Sequence, residues 1–237
     1  MGELTVYDCG RIEYAPALEL QRKLQTARGA EKIGDTLLLL EHPPVITMGK
    51  SAVNEHLLAD ETMLAAAGAK VEWIERGGET TYHGPGQLVG YAIFNLYERH
   101  RSIKRFVRNM EQVFIDLLAE EYAIEAGRDP EHPGVWVGNE KITAVGISIR
   151  NKVTMHGFAF NVAPNLDHFN WIVPCGITDR GQTSLEKLTG EAPDMIVMKR
   201  KVAAKFRELY EFAPGEEMLP GPPEPPDPPG QSDPGSA

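Results

Sequence analysis

The run Thr36-Leu37-Leu38-Leu39-Leu40-Glu41 places four consecutive leucines between two polar ends. It is too short for a helix of its own and has no polar side chain to show to water, which is typical of a strand buried on both faces. The chain must therefore build a sheet and cover it. Leu4–Tyr7 reads as a further strand, followed by a helix over Tyr14–Ala30 with apolar positions Ala17, Leu18, Leu20 and Leu24. Asp60 caps a short helix to Ala67, and Val71–Ile74 and Leu88–Leu96 read as strands. The clearest helix is Ile103–Tyr122, where Ile103, Phe106, Val107, Met110, Val113, Phe114, Leu117 and Leu118 repeat at the spacing of one buried face. Strands follow at Gly134–Val137, Lys141–Arg150 and Lys152–Asn161, with Asn151 marking a hairpin or meander. Helices over Thr183–Leu188 and Asp194–Tyr210 close the pattern. Strand runs mixed with helix runs predict an α+β domain around a mixed sheet with flanking helices.

Composition sets the boundaries. With 237 residues, 42% hydrophobic and 24% charged, the chain has the make-up of a soluble globular protein. Residues 1–213 carry no linker or repeat and are expected to form one domain. Residues 214–237 hold half of the 18 prolines and five acidic residues with no lysine or arginine, so a disordered, acidic, proline-rich tail is expected there. That tail carries half of the net charge of -10, and no basic block marks a nucleic-acid surface. No apolar run approaches the ~20 residues of a membrane helix, and the N-terminus lacks a secretory or transit pattern. The expected location is the cytoplasm. Cys9 and Cys175 are too few for a disulfide framework, and no Cys/His spacing predicts a metal site.

Twelve residues, Arg76-Gly77-Gly78-Glu79-Thr80-Thr81-Tyr82-His83-Gly84-Pro85-Gly86-Gln87, contain four glycines between two apolar runs. Glycine adds nothing to a core but lets a backbone bend and come close to a ligand. The segment is either a long hairpin connection or one wall of a small-molecule site. Cys175 lies between Pro174 and Gly176, a bend that presents a thiol either as a nucleophile or as a structural residue, whereas Cys9 reads as structural. A thiol nucleophile needs a base or a cation beside it, because little of a free cysteine is thiolate at neutral pH. His83, His156 and Lys141 are the candidates. Lys141 opens the apolar stretch Ile142–Ile147, where partial burial would make a lysine a plausible base.

Four blocks resemble one known family in order and spacing. They are Arg76 to Tyr91, Gly134-Val135-Trp136-Val137 with Lys141-Ile142, Met155-His156-Gly157-Phe158-Ala159-Phe160-Asn161, and Pro174-Cys175-Gly176-Ile177. Together they are similar to the lipoate-protein ligase B family, the octanoyltransferases. The resemblance implies a biotin/lipoate protein ligase-like catalytic fold, related to class II synthetases. It implies transfer of an octanoyl group from octanoyl-acyl carrier protein to a lysine of lipoyl domains, those of 2-oxoacid dehydrogenase complexes and the glycine cleavage H protein. It assigns Cys175 as the thioester carrier and Lys141 as its partner. Substrate contacts would fall on Arg76, Gly77, Gly78, Glu79, Thr80, Thr81, Tyr82 and His83, on Ala144, Val145 and Gly146, and on Gly157, Phe158 and Ala159. His156 would be auxiliary, and His83 would orient either the acyl carbonyl or Lys141. No cofactor, metal or ATP is implied. Small residues such as Gly77, Gly78, Ala144, Gly146, Gly157 and Ala159 would leave room for an acyl chain. An acidic carrier protein would dock on Arg99, Arg101, Lys104, Arg105 and Arg108 or on Lys199-Arg200-Lys201. The rival readings are an ATP-dependent lipoate or biotin ligase, a lipoyl amidotransferase, and a non-catalytic acyl-binding or lipoyl-domain-binding module.

Overall fold

A computed structural model describes residues 2–74, 80–98, 101–173, 180–215 and 217–226. In chain order the elements are β1 (Leu4–Arg11), α1 (Tyr14–Gly29), β2 (Asp35–Glu41), β3 (Val45–Met48), α2 (Glu61–Ala66), β4 (Lys70–Trp73), β5 (Thr80–His83) and β6 (Gln87–Ile93). They continue with α3 (Ile103–Tyr122), β7 (Gly127–Arg128), β8 (Gly134–Val137), β9 (Glu140–Arg150), β10 (Val153–Asn161), β11 (Gly181–Gln182), α4 (Leu185–Thr189), α5 (Met195–Leu209) and β12 (Leu219–Pro220).

The leucine run becomes β2, a central strand of the main sheet. Among the described residues that sheet has nine strands, in the order β12-β1-β2-β6-β10-β9-β8-β7, with β11 also beside β9. β1 and β2 are parallel and joined by α1, while β2-β6, β6-β10, β10-β9 and β9-β8 are antiparallel. Strand alternation sends the leucines to two different cores. Leu37 and Leu39 pack with Leu88, Phe158 and Phe160 against α3 and α5. Leu38 and Leu40 pack with Val89, Tyr91, Met155 and Ala159 against Ala17 and Leu24 of α1. The sheet is thus covered on both faces, and the site forms where the α1 cover stops.

α3 begins at its Ser102 cap, whose hydroxyl accepts the Arg105 amide, and ends where Ala123 turns left-handed at φ 53°. Phe106, Met110, Val113, Phe114, Leu117 and Leu118 are buried at the expected spacing. At about 1.5–3 kcal/mol per buried apolar side chain, packing rather than intrinsic propensity holds this helix in place. Ile103 departs from the expected face: it is 54% exposed, because the first helical turn projects past the sheet. Between β9 and β10, Asn151 and Lys152 take φ 49° and 70°, the paired positive values of a tight two-residue hairpin turn.

A second sheet, β4-β3-β5, was not foreseen. β5 lies inside the glycine-rich segment and pairs antiparallel with β3, so that segment is partly a strand rather than a hairpin loop. Ile46, Met48, Tyr82, Phe169, Trp171 and Ile172 form its own core. The expected boundary at residue 213 also moves. Leu219 and Pro220 pair with Tyr7 and Asp8 as an added parallel edge strand, and Met218 packs on the main core. Proline is tolerated there because an edge strand does not need its missing N–H. Met218 and Leu219 supply the apolar anchor that the surrounding prolines and acids lack.

Candidate active site

The register of β9 against β10 builds the floor of a cleft. Ala144 lies opposite Ala159, Val145 opposite Phe158 and Gly146 opposite Gly157, so six sequence-predicted residues meet as three cross-strand pairs. Tyr14, Thr81, His83, Tyr91, Pro133, Lys141 and His156 complete the cleft. A smaller arm continues past Thr81 and Lys141 to Gln87, Asn161 and Gln182. Val145 and Phe158 pack their side chains with the α3 core, so they bring backbone to the cleft. Gly157 has a different reason to be glycine than room for a ligand: a Cβ there would lie 2.3 Å from the Gly90 carbonyl oxygen of β6.

β5 alternates. Thr81 and His83 face the cleft, whereas Thr80 bonds Met48 and Tyr82 bonds His168 within the second core. Thr80 and Tyr82 are therefore separated from the other predicted contacts. Arg76, Gly77, Gly78, Glu79 and Cys175 lie outside the described residues, as does Arg99. The chain enters 174–179 from Val173, whose amide donates to the His56 carbonyl, and leaves it into β11, which pairs Gly181 and Gln182 with Glu140 and Lys141.

Lys141 is 5% exposed. Its Nζ donates to the Pro133 carbonyl at 3.3 Å and stands 4.8 Å from the centre of the Trp136 ring. The peptide that receives it is itself held: Gly134 donates to Glu111 Oε1 at 3.0 Å, and Arg128 Nε donates to the other carboxylate oxygen at 3.0 Å. Arg180 also lies over Trp136, at 5.0 Å, and pairs with Asp129. That contact holds the Asp129 carboxyl well down, to about 2. Of the two cysteines, Cys9 is unfit as a nucleophile, since burial, aided by the charge of Asp8, pushes its thiol up to about 12.

Histidines and tyrosines cluster at and behind the cleft wall. Tyr14 stacks on His83 at 6.1 Å and 12° between planes, and His42 meets His83 edge-on at 5.7 Å. His42 Nδ1 donates to the Ile12 carbonyl at 2.6 Å, so Nε2 accepts from the Tyr91 hydroxyl at 2.7 Å. Burial lowers His42 to about 4, which keeps it neutral. His156 has φ 63° inside a strand, a costly conformation for a residue with a Cβ. Gln21 of α1 accepts its amide at 2.9 Å, and the Thr154 hydroxyl stands in for the interrupted ladder by bonding Ala92 and Phe94. Met155 and His156 therefore both face α1, bringing the imidazole into the cleft.

Sequence reading missed Tyr14, Gln21, His42, Tyr91, Asn161 and Arg180 as site residues. A signal existed for some of them: His42 follows a buried strand directly, Gln21 falls on the buried face of α1 between Ala17 and Leu24, and Asn161 ends a buried strand. Among the described residues no group of His, Cys, Asp or Glu could hold a metal ion, and no helix is long and apolar enough to cross a membrane.

Comparison with known proteins agrees with this geometry. Residues 13–207 match the lipoyl protein ligase A/B catalytic domain. An octanoyltransferase of Caldicellulosiruptor saccharolyticus is 52% identical over 200 residues, covering 84% of this chain and 85% of that protein. Two solved structures share the fold at 15% identity. P. falciparum LipL1 in complex with lipoate has a TM-score of 0.72 over 92% of this chain and 66% of its own. Biotin protein ligase from Aquifex aeolicus has 0.51 over 89% and 70%. An α+β sheet with flanking helices, shared with lipoate and biotin ligases and matched over most of its length by octanoyltransferases, places this chain in the lipoyl protein ligase A/B catalytic domain family.

Proposed function

We propose that this protein transfers an octanoyl group from octanoyl-acyl carrier protein to a lysine of a lipoyl domain, through a thioester on Cys175. The observation that carries the reading is Lys141, buried at the junction of two arms of a cleft floored by small residues, in a chain 52% identical to an octanoyltransferase. In the first half-reaction the Cys175 thiolate attacks the carrier's thioester carbonyl. The new C–S bond forms as the old one breaks, and the departing carrier thiolate takes a proton from the Lys141 ammonium. Exchange of one thioester for another is nearly energy-neutral, so no ATP is required. In the second half-reaction the neutral lysine amine of the lipoyl domain attacks the acyl-enzyme. The C–N bond forms, Cys175 leaves as thiolate, and the amine proton passes to neutral Lys141, which restores the starting pair. An eight-carbon chain in the cleft gains on the order of 5 kcal/mol at about 0.8 kcal/mol per buried methylene, so neighbouring chain lengths are discriminated only modestly.

The carrier is acidic, and Arg101, Lys104, Arg105 and Arg108 form an exposed basic cluster at the start of α3. Lys199 leaves the docking proposal because it is 3% exposed and paired with Asp8. Arg101 lies nearest the β9-β10 hairpin, its amide donating to the Leu96 carbonyl while the Leu96 amide donates to the Lys152 carbonyl, and Val153 to Ala159 is about 20 Å of strand, a span for a long prosthetic arm. Charge reversal at Arg101 and Arg105 is expected to raise KM for the acyl carrier substrate; an unchanged KM removes this surface.

The test of function is intact-protein mass after incubation with octanoyl-acyl carrier protein and no ATP. A gain of one octanoyl group, absent in Cys175→Ala, is expected, followed by its transfer to a lipoyl domain. No adduct together with an absolute ATP requirement would overturn the reading in favour of a ligase.

A further inference from the structure

Three passages of the chain between the two sheets meet at Gly86. The first leaves β2 at Glu41 and enters β3 through His42-Pro43-Pro44. The second leaves β5 at His83 and enters β6 through Gly84-Pro85-Gly86. The third leaves β10 at Asn161 and leads to Phe169 and Trp171 in the core of the second sheet. Glu41 Oε2 accepts the Gly86 amide at 2.7 Å, and the Gly86 carbonyl accepts the Ala163 amide at 2.9 Å. Gly86 has φ 83°, and a Cβ there would lie 2.1 Å from the Ala163 carbonyl oxygen, so glycine lets the passages cross this closely. A carboxylate that accepts a backbone N–H makes a charge-assisted bond, stronger than a neutral one. The Glu41 side chain is only 18% exposed, whereas Arg11, 3.9 Å from the same oxygen, is 57% exposed and adds little.

Glu41, Gly86 and Ala163 are not among the residues that line the cleft, so they act through what they hold. β5 brings Thr81 and His83 to the cleft as its roof, above the floor made by β9 and β10. The pairing of β5 with β3 and the bond from Tyr82 to His168 lie within the second sheet and its core, and they move with it. Tyr14 and Leu18 of α1 pack on Val45 and Ile74, and Lys70 donates to Glu13 at 2.9 Å. Those contacts hold β3 and β4 down but do not reach the turn that leads out of β5. His83 bonds Gln87, the residue after Gly86, so the clasp on Gly86 steadies that bond as well.

We propose that Glu41 is a positioning residue for octanoyl transfer: by clasping Gly86 it fixes the height of β5 above the β9-β10 floor, and so the width of the acyl cleft. This role rests on the transferase reading above and concerns the fit of the acyl group, not the proton transfers. Without the acceptor the turn out of β5 loosens and the roof rises. The cleft then holds octanoyl less tightly and admits broader acyl groups.

The experiment compares the second-order rate constants for acylation of the full-length protein by octanoyl-acyl carrier protein and by 6-phenylhexanoyl-acyl carrier protein, whose terminal ring is broader. Exchange of the Gly86 and Ala163 amide hydrogens is followed by NMR on the same samples. The wild type is expected to prefer octanoyl. Glu41→Leu should cut that preference roughly threefold or more and speed exchange at both amides roughly tenfold. Glu41→Gln, whose carboxamide oxygen still accepts the Gly86 N–H, should keep most of the preference and of the protection. An unchanged preference in Glu41→Leu overturns the proposal even where exchange quickens, since the bond would then serve stability alone. So does a Glu41→Gln variant that behaves like Glu41→Leu. If neither carrier acylates the wild type, the transferase reading fails and takes this role with it, a result distinct from an active transferase whose preference is unmoved.

Discussion

His42 illustrates at the residue scale how burial decides chemistry that the letter H does not. Its folded value of about 4 lies below the ordinary 6.5, so the unfolded chain binds more protons between these limits. The sign follows: stability is full above 6.5 and is lost as pH falls through about 4, by about 3 kcal/mol in total. His42→Gln cannot be protonated, and urea unfolding at a series of pH values should show a shallower acid loss than the wild type; identical slopes would refute this assignment. Gly157 makes the opposite point, since a residue expected to leave space for a ligand instead leaves space for the neighbouring strand. With 2.3 Å between an added Cβ and the Gly90 oxygen, Gly157→Ala should cost about 2–3 kcal/mol in denaturant unfolding. A variant of wild-type stability would remove this steric reason for the glycine.

At the scale of elements, α3 does more than cover the sheet. Its Glu111 carboxylate ties the Gly134 amide and Arg128 to the helix and so fixes the peptide that accepts from Lys141. Glu111→Leu would leave the buried Gly134 N–H without its acceptor and Arg128 Nε without its carboxylate partner, while the Arg128 bonds to Arg108 and Gln112 remain. The expected cost is about 2–3 kcal/mol of stability, with slower octanoyl transfer, measured by denaturation and by single-turnover assay. If stability falls and transfer does not, the carboxylate is purely structural. The helix itself was legible because its apolar repeat runs from Phe106 to Leu118 without interruption. β3 and β5 were not, because β3 follows β2 after only His42-Pro43-Pro44 and β5 is set among glycines that read as loop. Their pairing with each other, rather than their own propensities, makes them strands.

For the whole molecule, the C-terminal segment revises a composition-based boundary. Truncation after Pro226 should leave the melting temperature unchanged, whereas truncation after Ala213 removes β12, Met218 and the Arg207–Glu217 contact. At roughly 2–4 °C per kcal/mol for a chain of this size, a fall of several degrees is expected by calorimetry; equal melting temperatures would mean β12 adds nothing. The sequence by itself determined the α+β class, the two-sided burial of β2, the span of α3, the two strands β9 and β10 and the family, because these rest on local periodicity and ordered motifs. It could also name Lys141, His83 and His156 as chemically capable. Only the tertiary structure decided that Thr81 and His83 face the cleft while Thr80 and Tyr82 do not, that His42 and Tyr91 belong to the same wall, and that Thr183, Asn161, Gln87 and His83 are joined by hydrogen bonds. Such facts depend on strand register and on hydrogen bonds between residues as many as 86 positions apart. A contact of that kind leaves no periodic trace in the chain, and it exists only once the sheet has closed.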